Sequence, residues 1–282
     1  MQLIDTHQHL ILRDKLGYGW TDDIPELAGD FTRADYAALV DGRGVTATVF
    51  METGVDEADY KAEARLVSGM IGQGGDLPML GQIAACRPET DDGFDAWLEE
   101  CGDLGVVGFR RLMQTMPDAM SQSETYRANI RKIGAAGLPV DLCCAARQLD
   151  IAGDLVRACP DVAFILDHCG SNNMQAGEFD AWRAGMARLA ELPNLHVKFS
   201  GFSAYVPGDA GPDDPLRAVA DTVIGLFGPT RLIWGGDWPV VDLGPGLRGW
   251  LDLTQQFLAD LSGDEQAQIG HANARRFYNL PG

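Results

Sequence analysis

Ile4-Asp5-Thr6-His7-Gln8-His9 opens the chain as a short apolar run that ends in two histidines one residue apart. A β-strand has a side-chain period of two, so regular alternation puts His7 and His9 on one face, about 6.8 Å apart along the strand. At that spacing two imidazoles can share one ion or one substrate atom. Taken alone, such a pair is equally a couple of exposed histidines near a terminus. Its meaning depends on what the other strands bring beside it.

The rest of the chain bounds those partners. At 282 residues it is long enough for one large barrel or two ordinary domains. A content of 46% hydrophobic and 22% charged residues leaves ample material for a core. The net charge of -19 argues against nucleic acid or an anionic membrane as partner, because phosphates are repelled unless a local basic patch receives them. The only basic pairs are Arg110-Arg111, Arg131-Lys132 and Arg275-Arg276, too scattered to form such a patch. The six cysteines, at 86, 101, 143, 144, 159 and 169, have neither zinc-ribbon nor disulfide-framework spacing. With no leader-like start and no apolar run of membrane-spanning length, a cytoplasmic, non-membrane protein is expected.

Apolar, β-rich runs alternate with helix-patterned stretches. Strands are expected at Leu3–Thr6, Thr46–Met51, Met79–Ala84, Val106–Leu112, Val140–Cys144, Ala163–Asp167, His196–Ser200 and Arg231–Trp234. Between them, segments such as Asp59–Met70, Phe94–Cys101, Tyr126–Ala136 and Ala181–Leu192 carry apolar residues at helical spacing. Ala136-Gly137-Leu138-Pro139 has the composition of a helix stop. Eight such alternations predict a closed (β/α)8 barrel, one domain over 1–282, with Gly263–Tyr278 as an extra C-terminal helix. An open doubly wound sheet is the runner-up, but no Gly-x-Gly-x-x-Gly follows any strand. The long His9–Asp30 and Phe202–Pro215 connections are read as loops over the mouth.

Barrel enzymes place their chemistry at the C-terminal ends of strands. Here those ends carry His7 and His9, then Glu52, Arg110-Arg111, Asp167-His168, Lys198 with Ser200, and Asp237-Trp238. Titratable groups gathered at one end of apolar strands must be paired or functional, since an apolar core does not tolerate them otherwise. Bland readings stand beside this one: Glu52 and Lys198 neutralising each other, Arg111 pairing outside the barrel, Trp238 merely packing, His196 and His271 structural, and the cysteines small buried residues.

Four stretches, Ile4 to His9, Leu166-Asp167-His168-Cys169-Gly170, Lys198-Phe199-Ser200-Gly201 and Gly236-Asp237-Trp238-Pro239, fall in a familiar order, and Asn273-Ala274-Arg275-Arg276-Phe277-Tyr278 closes the chain. Together they resemble the amidohydrolase superfamily in its "amidohydrolase 2" branch of TIM barrels, close to sugar-acid lactonases and the pyrone-dicarboxylate lactonase. The resemblance implies that His7, His9 and His168 hold a metal or polarise a carbonyl, and that Asp237 is the acid-base and a further metal ligand. Binuclear members have a bridging Lys or Glu after the fourth strand and a His after the fifth, where this chain has Arg110-Arg111 and Cys143-Cys144-Ala145. The implied cofactor is therefore one divalent ion, zinc before others, or none.

The implied reaction is opening of a lactone of a sugar acid or related carboxylated compound. It needs an activated water, stabilisation of the carbonyl oxyanion and a proton for the departing ring oxygen. Substrate binding is expected from Arg110, whose planar fork suits a carboxylate or paired hydroxyls, and from Glu52, Lys198 and Trp238. The alternatives are a metal-dependent decarboxylase or hydratase of the same branch and a non-catalytic sugar-acid-binding barrel. Ring size and oligomeric state stay open.

Overall fold

In a computed structural model, which describes residues 1–73 and 75–281, eight parallel strands follow one another in sequence order around a single sheet. They are β1 (Leu3–Gln8), β2 (Val45–Met51), β3 (Met79–Ala85), β4 (Val106–Leu112), β5 (Val140–Cys143), β6 (Phe164–Leu166), β7 (Leu195–Ser200) and β8 (Leu232–Gly235). The outer ring is α1 (Arg33–Val40), α2 (Tyr60–Ser68), α3 (Phe94–Cys101), α4 (Glu124–Ala135), α5 (Leu149–Ala158), α6 (Phe179–Ala190), α7 (Pro215–Phe227) and α8 (Gly246–Phe257). The seam closes just beyond the end of β8. There Asp237 N–H donates to His7 O at 2.8 Å and His9 N–H donates to Trp238 O at 2.9 Å. The chain is thus the expected (β/α)8 barrel, and its closing bonds are made by the residues that carry the candidate chemistry.

Local signals explain where the helices begin and end. Thr32 and Asp35 form a capping box at α1, Ser123 caps α4, and Asp214 caps α7 in front of Pro215. Gly137 stops α4 by taking a φ of 76°, open to glycine without a Cβ clash.

The interior is apolar at depth. Ile4, Val49, Met51, Ile83, Ile165 and Ile233 form one buried cluster, which Ala274, Tyr278 and Leu280 of the tail join. That tail is α9 (Gly263–Ala267), a π turn (Gln268–Ala272) and α10 (Asn273–Phe277). The expected single helix is therefore interrupted. At the π turn Gly270 lies so close to β1 that a Cβ there would fall 2.5 Å from the Gln2 carbonyl oxygen. Among the described residues, no helix is long and apolar enough to cross a membrane.

Two strands depart from simple alternation. β6 is shorter than Ala163–Asp167 because the chain leaves extended geometry after Leu166, with His168 and Cys169 at φ 53° and 54°. In β1, Asp5 pairs with Thr48 but Gln8 pairs with Phe50, so one extra residue bulges from β1. Asp5 can then face outward to the Tyr36 hydroxyl of α1 while His7 faces the barrel, although the two are separated by two positions.

Candidate active site

The site is built where β1, β6 and β8 end. Two glycines make the approach of its parts possible. A Cβ on Gly201 would lie 2.4 Å from Asp237 Oδ2, and one on Gly235 would lie 2.7 Å from the His7 Cβ. Asp237 is itself held at φ 61°, a left-handed conformation uncommon for a non-glycine residue.

Asp237 is fully buried. Its Oδ1 lies 3.5 Å from both His7 Nε2 and His9 Nε2, and its Oδ2 lies 3.7 Å from His168 Nδ1. Oδ2 also accepts a 2.9 Å hydrogen bond from the Tyr205 hydroxyl, whereas Oδ1 has no hydrogen-bond partner. Burial alone would raise the carboxyl pKa, but His168, His9 and His7 outweigh it and bring the value down to about 2. At neutral pH Asp237 is ionised. Burial holds His7 well below its ordinary value and lowers His168 as well, so both rings are neutral there.

The partners of the rings decide their tautomers. His9 Nδ1 faces the Met51 carbonyl oxygen at 3.0 Å, and a carbonyl only accepts, so Nδ1 carries a proton. Arg110 Nη1 lies 3.2 Å from His7 Nε2, and a guanidinium only donates. His7 Nε2 therefore carries a lone pair. It and His9 Nε2 each lie 3.5 Å from Asp237 Oδ1.

The other expected site residues divide. Glu52 and Arg110 come together beside His7 as a buried pair, with Arg110 Nε 2.6 Å from Glu52 Oε1 and Nη2 2.6 Å from the Glu52 carbonyl oxygen. Arg110 Nη1 also reaches Asp167 Oδ2 at 3.4 Å. Burial would raise the Glu52 pKa, but the guanidinium overcomes it and holds the carboxyl below its ordinary value. Lys198 does not neutralise Glu52. Fully buried, its ammonium is bound to Asp141, with the Thr6 carbonyl at 3.2 Å and Asp167 Oδ1 at 3.4 Å. Trp238 packs edge-on against Phe31 and Tyr36, at ring separations of 5.4 and 5.6 Å, and lines the inside of the β1–α1 connection. Arg111 pairs with Glu89, His196 stacks on Phe277 at 4.7 Å, and all six cysteines are buried and unbridged.

Several further groups beyond the strand ends were not singled out by the sequence. Tyr205 lies in the loop after β7, its ring 4.8 Å from that of His168. Asp167, already placed by the sequence at a strand end beside His168, faces His7 Nδ1 at 3.6 Å. Asn172, after β6, is buried with Nδ2 3.3 Å from Cys143 Sγ and Oδ1 unpartnered, and Gln114 Oε1, after β4, is likewise buried without a partner. Trp20 is a half-exposed indole in the loop after β1, tethered by a 2.9 Å bond from Nε1 to the Thr53 carbonyl. The one available signal was position: Tyr205, Asn172, Gln114 and Trp20 lie in loops leaving the C-terminal ends of strands, and Asp167 follows β6 directly.

Known proteins resemble the chain along its whole length. The chain is 26% identical to the L-fucono-1,5-lactonase of Burkholderia ambifaria, over 98% of this chain and 95% of that one. An amidohydrolase from Burkholderia multivorans with bound zinc superposes with a TM-score of 0.86 at 22% identity, covering all of both chains. A probable 2-pyrone-4,6-dicarboxylic acid hydrolase from Acinetobacter baumannii, with citric acid bound, has a TM-score of 0.77 at 18% identity over 99% of this chain and all of that one. These two structures share the barrel. Residues 4–280 match the amidohydrolase family as a unit, so the chain belongs to that family.

Proposed function

We propose that this protein hydrolyses the lactone of a hydroxylated sugar acid. The observation that carries the reading is Asp237 Oδ1, an ionised and buried carboxylate oxygen with no hydrogen-bond partner, aimed between His7 and His9. Asp237 takes a proton from water, the resulting hydroxide adds to the lactone carbonyl carbon, and the same carboxyl returns the proton to the departing ring oxygen. Tyr205, donating to Oδ2, leaves Oδ1 as the working atom. The resemblance of the whole chain to an L-fucono-1,5-lactonase supports this chemistry.

A neutral, hydroxylated substrate fits the mouth better than a carboxylated one. The basic side chains at the ends of the strands and in the loops after them, Arg13, Lys15, Arg87, Arg110, Arg111 and Arg147, are already paired with Asp22, Asp14, Glu57, Glu52, Glu89 and Asp118. The unpartnered amide oxygens of Gln114 and Asn172 instead call for hydroxyl donors. Trp20 offers a flat apolar face of the kind a sugar ring packs on.

The donor set suits a divalent ion. One ligand atom each from His7, His168 and Asp237 lie within 4.8 Å of one another. The 3.5 Å separations of Asp237 Oδ1 from two imidazole nitrogens are near the edge of about 3.3 Å that a tetrahedron with bonds of about 2.0 Å requires. His7, His9, His168 and Asp237 would hold the ion, zinc being favoured by this mix of nitrogen and oxygen. Bound there, it supplies Lewis acidity toward the lactone carbonyl.

The test is a panel of sugar-acid lactones and carboxylated pyrones followed by acid release. Turnover of the neutral sugar lactones is expected, with Asp237→Asn folded by circular dichroism but at least about a hundredfold slower. Preference for the carboxylated compounds, or near-normal turnover by the variant, would defeat the proposal.

A further inference from the structure

We infer that Arg110 is a resident cation that competes with the metal for His7 and keeps the site's zinc affinity low. The inference rests on the ion site proposed above. A lone pair serves one partner, and that of His7 Nε2 is engaged by Arg110 Nη1 at 3.2 Å. An ion bound to the same nitrogen would sit along the same lone-pair axis, so the guanidinium must swing away before His7 can ligate. Its release is opposed on every side. Arg110 is buried, with Nε and Nη2 fixed by the Glu52 carboxylate and carbonyl at 2.6 Å each and Nη1 also facing Asp167 at 3.4 Å. Withdrawal would leave Glu52, also buried, without its counter-ion. A positive charge in contact with a ligand nitrogen also repels a second cation directly. Arg110 is thus committed inward, and its expected role as a substrate anchor gives way to control of the metal.

The experiment measures zinc affinity with substrate absent, so its failure is separate from any failure of the lactonase reading. Purified full-length protein is stripped with a chelator and titrated with zinc against a chromophoric competitor at fixed pH. The key variant is Arg110→Met combined with Glu52→Gln, which removes one charge of each sign. A gain in affinity in this variant reflects the freed His7 nitrogen and not a change in net charge. Binding tighter than wild type by on the order of tenfold or more is expected, with the gain abolished when His7→Ala is added. Unchanged or weaker affinity overturns the inference, as does a gain that survives His7→Ala. Should the methionine variant melt early, Arg110→Gln with Glu52→Gln carries the same test, since glutamine ends two bonds short of His7 and leaves a hydrogen-bonding pair.

Discussion

Asp237 has one oxygen tied and one free, and the tie is a single hydroxyl. Tyr205→Phe removes the 2.9 Å bond to Oδ2 while keeping the ring against His168. A hydrogen bond to a charged group is worth about 1.5 kcal/mol or more, roughly tenfold in rate. The variant is therefore expected to lose about tenfold in kcat with KM little changed, and a loss confined to KM would place Tyr205 against the substrate instead. A second buried carboxyl, Glu63, accepts a 3.0 Å bond from Thr53 N–H just behind the Glu52–Arg110 pair. Burial and then the charge of Glu52 raise its pKa from 4.5 to about 8. The folded state thus holds a proton that the unfolded chain releases near 4.5. This contribution to stability is complete below pH 4.5 and is lost as pH rises to about 8, at about 1.4 kcal/mol per unit. Thermal melts from pH 5 to 8 are expected to show a steeper fall in Tm for wild type than for Glu63→Gln. Parallel curves would mean that Glu63 does not titrate in this window.

The bulge in β1 and the π turn in the tail meet at the same strand. The bulge turns His7 into the barrel and frees Asp5 to accept from Tyr36 and, at 2.7 Å, from Gly236 N–H, which ties β1 to the loop that carries Asp237. The π turn seats Gly270 against the backbone before β1. A methyl group there must displace a backbone oxygen, unlike a contact with the end of a flexible side chain. Gly270→Ala is expected to cost about 1–3 kcal/mol in urea denaturation. A neutral effect would show that the tail can shift outward without loss. Tyr278 extends the same tail into the barrel floor, where its hydroxyl donates to Asp141, the partner of Lys198. Lys198 in turn faces Asp167 beside His7, so the floor and the site share one chain of buried charges.

The net charge of -19 acts on the molecule as a whole and repels anionic compounds from its surface. A neutral lactone is indifferent to that field. Its kcat/KM is expected to change little between low and physiological ionic strength, where the screening length falls to about 8 Å. A steep dependence on salt would indicate a charged substrate and count against the committed cations at the mouth. The same acidic surface should speed escape of the anionic acid formed when the ring opens.

Much of this arrangement is determined by sequence alone, because it rests on short-range periodicity. Alternating apolar runs and helix-spaced segments define eight β/α units, titratable residues gathered at strand ends mark the candidate face, and the family resemblance singles out His7, His9, His168 and Asp237 on it. What only the tertiary structure decided are pairings between side chains that meet through barrel closure. Glu52 takes Arg110 and leaves Lys198 to Asp141, Trp238 packs on Phe31 and Tyr36, and Tyr205 reaches Asp237 from a loop with no periodic signal. The β1 bulge belongs with them. One extra residue reverses which side chains face inward, and nothing local to Asp5-Thr6-His7 requires it; it is selected where Asp5 finds Tyr36 and Gly236 while His7 finds Arg110 and Asp237.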